Sequence, residues 1–378
     1  MDVGIELAAG DVLLDRYRVD AKIGEGGMGG VYLGWHVALE MAVAIKVIRL
    51  PAGGDAGDQA RVRLLREARG LARLRSEFVR RPLDYGALPT GAPFLVLEYL
   101  EGMSLAERAA RGLLPRAEAV TYVAQAAAGL AEAHAHHVVH RDVKPSNVFL
   151  ARAQGDERIA KVLDFGIAKT LSLDTDITRG GQLLGTPEYM SPEQVRDAPS
   201  VDERTDVWSL GVVLYRLLGG ALPFRGATKP RTLASILDDE PPALRTLRPD
   251  LPLPLQRVVE ACLAKDPDRR IESAAELAAR LAPFGTDEAK RAARVALATE
   301  SSASTAVTVR RATPWIDDAA ARSTPTIDQN AGPGSTDGAE SEARKAESGG
   351  AAPAMTLDAG GPGRRDAGEF VAARRNAG

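Results

Sequence analysis

The run Ile23-Gly24-Glu25-Gly26-Gly27-Met28-Gly29-Gly30-Val31 is dense in glycine. Such a turn lets backbone close over a phosphate chain without a Cβ in the way. A dinucleotide-binding turn would need a helix after it, whereas Val31-Tyr32-Leu33 favours a strand. The chemistry suggested is triphosphate binding under a hairpin, although a glycine run alone also fits a plain flexible turn. Downstream, Ala42-Val43-Ala44-Ile45-Lys46 sets a lysine in an apolar strand pattern. A buried ammonium is costly unless paired. Phosphate oxygens and a carboxylate would supply the pairing, and Glu67, on the apolar-faced helix expected from Gln59 to Arg75, is the natural carboxylate.

The run Val139-His140-Arg141-Asp142-Val143-Lys144-Pro145-Ser146-Asn147, followed by Leu163-Asp164-Phe165-Gly166, carries the strongest signal. With the glycine run and Lys46 in the same order, the sequence resembles the bacterial eukaryotic-like (Hanks-type) serine/threonine protein kinases from Tyr17 to Phe284. The resemblance implies transfer of the γ-phosphoryl of ATP to protein Ser/Thr hydroxyls, with Mg²⁺ (or Mn²⁺ in its place) as the metal. It assigns Asp142 to accept or orient the proton of the attacking hydroxyl and Lys144 to neutralise charge on the γ-phosphoryl. Asn147 and Asp164 become the metal ligands, and Lys46, positioned by Glu67, holds the α/β-phosphates.

The same resemblance makes Glu98-Tyr99-Leu100 a hinge whose backbone at Glu98 and Leu100 binds adenine. Leu97 is then the gatekeeper, with Val31, Ala44 and Phe149 packing on the ring. His140 and Phe165 are expected to pack with Leu71 and Leu83 in a spine joining two lobes. Asp84-Tyr85-Gly86, which imitates Asp164-Phe165-Gly166, reads as a strand end and turn. Asp142 to Asn147 has the serine/threonine form. Gly185-Thr186-Pro187-Glu188-Tyr189 agrees, placing Thr186 to bond Asp142 and Lys144. Glu193 is expected to pair with Arg270, and Asp206 to cap the backbone of the 140–147 loop. Relatives usually carry a His-Pro turn where Ser76-Glu77 stands.

A pseudokinase would be marked by loss of Lys46, Asp142, Asn147 or Asp164, and all four are present. Small-molecule phosphotransferases with a related core typically lack a segment like Gly185 to Glu193. Arg141 beside the catalytic Asp often accompanies activation by phosphorylation, because the guanidinium needs an anionic partner. Thr178, then Thr175, are the favoured sites. Thr313-Pro314-Trp315-Ile316-Asp317 recurs as Thr324-Pro325-Thr326-Ile327-Asp328. That spacing suits phosphothreonine-reading forkhead-associated-domain proteins as partners, although coincidence in a low-complexity segment also accounts for it.

These residues need elements to hold them. Strand patterns at Arg18-Val19, Val31 to Leu33, Val43 to Ile48 and Phe94 to Leu97 precede helix patterns at Thr121 to His136, Val207 to Leu218 and Leu255 to Ala264. The fold class expected is α+β: a bilobal protein-kinase fold with a small antiparallel β-rich lobe and a larger helical lobe. The expected division is an N-terminal extension (1–16), a kinase domain (17–284) and a low-complexity, disordered tail (285–378), in which Lys290 to Leu297 extends a terminal helix. The 378 residues are 45% hydrophobic with a net charge of -3, which gives no reason to expect a nucleic-acid partner. The single cysteine, Cys262, rules out an intramolecular disulfide within the chain. Val207 to Phe224 is interrupted by Arg216 and reads as a buried helix, so no membrane span and a soluble, cytoplasmic protein are expected.

Overall fold

Alternation of apolar residues builds the small lobe. In this computed structural model, which describes residues 6–26, 29–50, 54–153, 155, 157–165, 187–196 and 201–312 (without the side chains of 26, 54–56, 58, 67 and 304–312), six strands form one sheet. They are β1 Val12–Leu13, β2 Tyr17–Gly26, β3 Gly29–His36, β4 Met41–Val47, β5 Pro82–Ala87 and β6 Pro93–Glu98, in the antiparallel order β1-β2-β3-β4-β6-β5. Successive side chains of a strand face opposite ways. Val43, Ile45 and Val47 therefore enter one core with Tyr17, Val19 and Phe94. Ala44 and Ile48 enter another beneath helix α1 (Gly54–Leu71), and Lys46 shares their face.

Helix α1 forms where expected, and of the helical spacing Val62, Leu65, Ala68, Leu71 and Leu74 in the sequence only Val62 is exposed. Val62 is 68% exposed, while Ala60, Leu64, Ala68 and Leu71 are buried. The helix also ends at Leu71, short of Arg75, and Leu74 is buried in the following turn. Spacing alone admitted either register; burial against Leu95 and Leu97 selects Leu64. In place of the usual His-Pro turn, the Glu132 carboxylate accepts the backbone N–H groups of Arg75 and Ser76 at 2.8 and 2.7 Å.

The larger lobe is helical. Strand β7 (Gly102–Ser104) pairs with β8 (Val148–Arg152), which pairs with β9 (Arg158–Val162). The helices are α2 Leu105–Ala110, α3 Arg116–Ala135, α4 Pro192–Arg196, α5 Arg204–Gly219, α6 Lys229–Asp238, α7 Leu244–Leu247, α8 Leu253–Cys262, α9 Ala274–Leu281 and α10 Asp287–Ala312. Helices α3 and α5 are apolar on nearly every side because both lie inside the core. The stretch read from sequence as a buried helix is α5, and no helix among the described residues is long and apolar enough to cross a membrane.

Two contacts qualify the sequence reading. Helix α10 continues the packed part of the chain past Phe284, because Ala289, Ala292, Ala293 and Ala296 are buried against the main core. Small side chains at that spacing let helices approach closely, which a judgement from bulk composition misses. The start of α10 is anchored by Thr286 N–H donating to Thr121 Oγ1 at 3.0 Å, and Arg291 grips Glu77 at 2.6 and 3.1 Å.

The second contact is between α5 and α8. A Cβ on Gly211 would come within 2.5 Å of Cys262 Cβ, so only glycine fits there. Cys262 is fully buried, and burial pushes its thiol up to about 12. We expect no alkylation of the native protein by iodoacetamide at pH 8 and complete reaction after denaturation, read by mass spectrometry. Reaction of the folded chain would contradict this packing.

Candidate active site

The glycine run forms a hairpin between β2 and β3, with Gly26 opposite Gly29. Gly29 has φ of +136°, and a Cβ there would come within 2.0 Å of the Val47 carbonyl. The hairpin can therefore lie tight on β4 only if that residue is glycine. Ile23, Gly24 and Glu25 are exposed along its edge, Gly30 is buried and Val31 is partly buried, while Gly27 and Met28 lie outside the described residues. The Glu25 carboxylate is paired with Lys22 at 3.1 Å and Arg49 at 3.4 Å. Val31 stands opposite Lys46 in the β3–β4 ladder, which sets the lysine beneath the hairpin.

Lys46 Nζ contacts Asp164 Oδ1 at 2.9 Å. The sequence suggested Glu67 as its partner; Glu67 lies in α1, but its side chain is outside the described residues. The Asp164 side chain is 37% exposed. Burial pushes its carboxyl up, but the charge and hydrogen bond of Lys46, with the charge of Arg80, outweigh this and hold it below the ordinary range.

The loop before β8 gathers the remaining chemistry. Asp142 Oδ2 lies 2.8 Å from Lys144 Nζ and 3.1 Å from Asn147 Nδ2, and Asn147 Nδ2 also donates to the Asp142 carbonyl at 2.8 Å. The carboxylate is thus held by a cation and an amide, an arrangement that can orient a hydroxyl and take its proton. Arg141 has φ of +63° and Asp164 φ of +46°, conformations that L-residues adopt at a cost. Asp206 supplies part of the compensation. Its buried carboxylate accepts the backbone N–H groups of His140 and Arg141 at 2.8 and 2.9 Å, as the sequence led us to expect.

His134 adds a third contact to Asp206 at 2.8 Å, and Gln194 Nε2 donates to the Arg141 carbonyl at 2.8 Å. Neither was found from sequence. A histidine on an alanine-rich helix gives no sign of its partner, which lies 72 positions away along the chain. Burial pushes the Asp206 carboxyl up, but the hydrogen bond and charge of His134 hold it low.

His140 and Phe165 pack at a ring separation of 4.9 Å, and Leu71 belongs with Phe165 to the same core. Leu83 does not join them. It is 42% exposed, beside a register shift between Pro82 and Asp84, and borders a surface cavity lined also by Leu74, Arg75 and Arg81. Asp84-Tyr85-Gly86 lies within β5 and is not a strand end; Tyr17 Oη donates to Asp84 Oδ2 at 2.9 Å.

At the hinge, Glu98 N–H donates to the Arg81 carbonyl at 3.0 Å and the Glu98 carbonyl accepts from Arg80 Nε at 2.9 Å. Leu100 is partly buried and has no backbone hydrogen bond among the described residues. Ala44 is fully buried and Phe149 partly so. Glu193 and Arg270 form the expected pair at 2.8 Å. Ser191 Oγ bonds Thr205 Oγ1 at 2.6 Å. Gly166, Thr175, Thr178 and Thr186 lie outside the described residues, as do Thr313 and Thr324.

No group of three His, Cys, Asp or Glu residues that could hold a metal occurs among the described residues. A divalent ion would rest on Asn147 and Asp164 with phosphate and water. That oxygen-poor protein set suits Mg²⁺, which keeps several waters and is commonly shared with substrate phosphates.

A model of the protein kinase domain matches residues 17–281. The chain is 37% identical over 278 residues to serine/threonine-protein kinase pkn3 of Myxococcus xanthus, covering 72% of this chain and 50% of that protein. It is 41% identical over 281 residues to pkn2 of the same organism, covering 73% of this chain and 33% of that one. With PknB of Mycobacterium leprae it shares 36% identity over 273 residues, covering 71% and 43%. It thus spans half or less of the length of these relatives. The crystal structure of the Mycobacterium tuberculosis PknI kinase domain superposes with a TM-score of 0.58 at 28% identity, covering 74% of this chain and 100% of that one. On the extent of the domain match and these likenesses, the chain belongs to the protein kinase family.

Proposed function

We propose that this protein is a serine/threonine protein kinase that transfers the γ-phosphoryl of ATP to Ser or Thr hydroxyls of protein substrates. The observation that carries this reading is the Asp142 carboxylate held by both Lys144 and Asn147, in a loop whose strained backbone is pinned by Asp206. Asp142 orients the acceptor hydroxyl and takes its proton. Lys144 lies beside it and offsets charge on the phosphoryl in flight, and Thr186 is the residue that the resemblance assigns to bond both. Asn147 and Asp164 would hold Mg²⁺, or Mn²⁺ in its place, which when bound would offset charge on the phosphates.

Lys46 steadies the α/β-phosphates under the Ile23 to Val31 hairpin, with Glu67 as the carboxylate that the resemblance assigns to position it. Adenine meets the backbone of Glu98 and Leu100 between Val31, Ala44 and Phe149. Lys46 lies 2.9 Å from Asp164, so the group assigned to the phosphates and the group assigned to the cation are neighbours. Most of the rate enhancement then comes from positioning and charge stabilisation. A cytoplasmic setting belongs to the same reading, because ATP is held there.

Regulation follows from Arg141. Phosphate on Thr178, or on Thr175, would add an anion that a guanidinium such as that of Arg141 can bind. Phosphate on Thr313 and Thr324 would make docking sites for forkhead-associated-domain proteins. Incubation of the full chain with ATP and Mg²⁺, followed by phosphopeptide mapping of wild type and Asp142→Ala, tests the whole. Phosphate should appear in wild type alone, on Ser and Thr, with Thr178 or Thr175 among the sites. Equal incorporation in both proteins, or incorporation on tyrosine alone, would sink the assignment.

A further inference from the structure

Arg80 is a cation in an unusual place. It follows the buried pair Phe78-Val79, it is itself partly buried, and burial pushes its guanidinium below the ordinary value, with Asp164 and Glu98 as the opposing charges. A guanidinium does not give up its proton in a protein, so the cation remains and must be matched by acceptors. Two bonds define what it does. Its backbone N–H donates to the Val162 carbonyl at 3.0 Å, two residues before Asp164, and its Nε donates to the Glu98 carbonyl at 2.9 Å. One residue thus spans the strand that delivers Asp164 and the segment read as the hinge.

The surroundings strengthen the bridge. Val79 pairs with Val162, and Val162 N–H donates to the Phe78 carbonyl at 2.8 Å. On the hinge side, Lys161 Nζ holds both carboxylate oxygens of Glu98 at 3.1 Å. Glu98 is therefore fixed by its N–H, its carbonyl and its side chain, and two of these ties are cationic. A carbonyl oxygen has two lone pairs in the peptide plane. With Arg80 on one of them, the plane cannot rotate freely and the other lone pair keeps a fixed direction.

We propose that Arg80 is a positioning residue for the nucleotide: it fixes the Glu98 carbonyl to receive the 6-amino group of adenine and sets that carbonyl against Asp164. The proposal rests on the reading of Glu98 and Leu100 as the adenine edge. Arg80 touches neither the transferred phosphoryl nor the acceptor, and acts through Glu98, the β9 strand and its charge near Asp164.

The test compares MgATP with purine riboside triphosphate, which is ATP without the 6-amino group. Dissociation constants are measured by titration calorimetry on the full chain for wild type, Arg80→Met and Arg80→Lys. Wild type should prefer ATP by about five- to tenfold, the worth of one net hydrogen bond. In Arg80→Met, ATP should weaken by about that factor while the analogue changes little, so that the preference disappears. Arg80→Lys keeps a cation near Asp164 but lacks the Nε donor, and should lose the preference as well. It also decides the matter if Arg80→Met does not fold.

Equal weakening of both nucleotides would reveal a packing role and overturn the proposal. A widened preference would mean that Arg80 competes with adenine for the carbonyl, and would overturn it too. No preference in wild type would remove the adenine reading itself, and that result is visible before any substitution is made.

Discussion

Asp142→Asn is expected to lower phosphoryl transfer by about 10²–10⁴-fold, the usual worth of a positioned proton acceptor, while leaving nucleotide affinity unchanged. Asparagine keeps the shape of the side chain and an oxygen for Asn147 Nδ2, which lies 3.1 Å from Asp142 Oδ2. It removes the charge that faces Lys144 at 2.8 Å and the ability to accept a proton. The loop should survive, because its backbone is held from elsewhere by Asp206 and Gln194. Initial rates with a generic acceptor protein, together with ATP titration of the same preparations, measure the two quantities separately. Transfer at the wild-type rate would remove Asp142 from the chemistry. Loss of ATP binding in step with rate would make it a structural residue of the loop.

The second large effect concerns stability. The Arg270 side chain has no exposed surface and Glu193 only 15%. Its guanidinium donates to both Glu193 oxygens at 2.8 and 3.1 Å, to the Arg204 carbonyl at 2.7 Å and to the Ala264 carbonyl at 3.2 Å. It also stacks over Trp208 at 5.3 Å. Arg270→Met leaves a buried carboxylate and two carbonyls without their donor. Breaking such a pair from one side costs about 3–5 kcal/mol, which corresponds to a fall in Tm of about 6–20 °C.

The double variant Arg270→Met/Glu193→Leu should recover part of that loss, because the stranded charge is gone while the two carbonyls remain unmet. Calorimetric melting of the three proteins checks both statements. A single variant that melts with the wild type would show the pair to be dispensable. A double variant no better than the single would show that the carbonyls, and not the charge, carry the cost.

The two expectations rest on different kinds of legibility. Glu193 and Arg270 could be paired from sequence because their surrounding motifs occur in a recognisable order, and the structure joins them at 2.8 Å. The same held for Asp206, whose capping of the His140–Arg141 backbone was anticipated. The pattern failed where a stripe had more than one register. Val62 and Leu64 in α1 both fit a helical period, and contact with Leu95 and Leu97 selects Leu64. Leu83 was expected in the spine with Leu71, but it is 42% exposed, beside a register shift between Pro82 and Asp84. The chain after Gly285 reads as low-complexity from its composition, yet the small alanines of α10 allow that helix to lie close on α3.

Within this chain, the sequence by itself determined the order of the lobes, the hairpin under the glycine run, and the identity of Lys46, Asp142, Lys144, Asn147 and Asp164 as the charged and amide groups available for chemistry. Those are local facts: they depend on residue type and on spacing along one strand, turn or loop. Only the tertiary structure decided that Lys46 meets Asp164, that His134 completes the ring around Asp206, and that Arg80 reaches the Glu98 carbonyl. Each of these joins segments far apart in the chain, and their partners are chosen by the packing of whole elements. Burial then sets the strength of each contact, because a charge removed from water must find a partner wherever the fold has placed one.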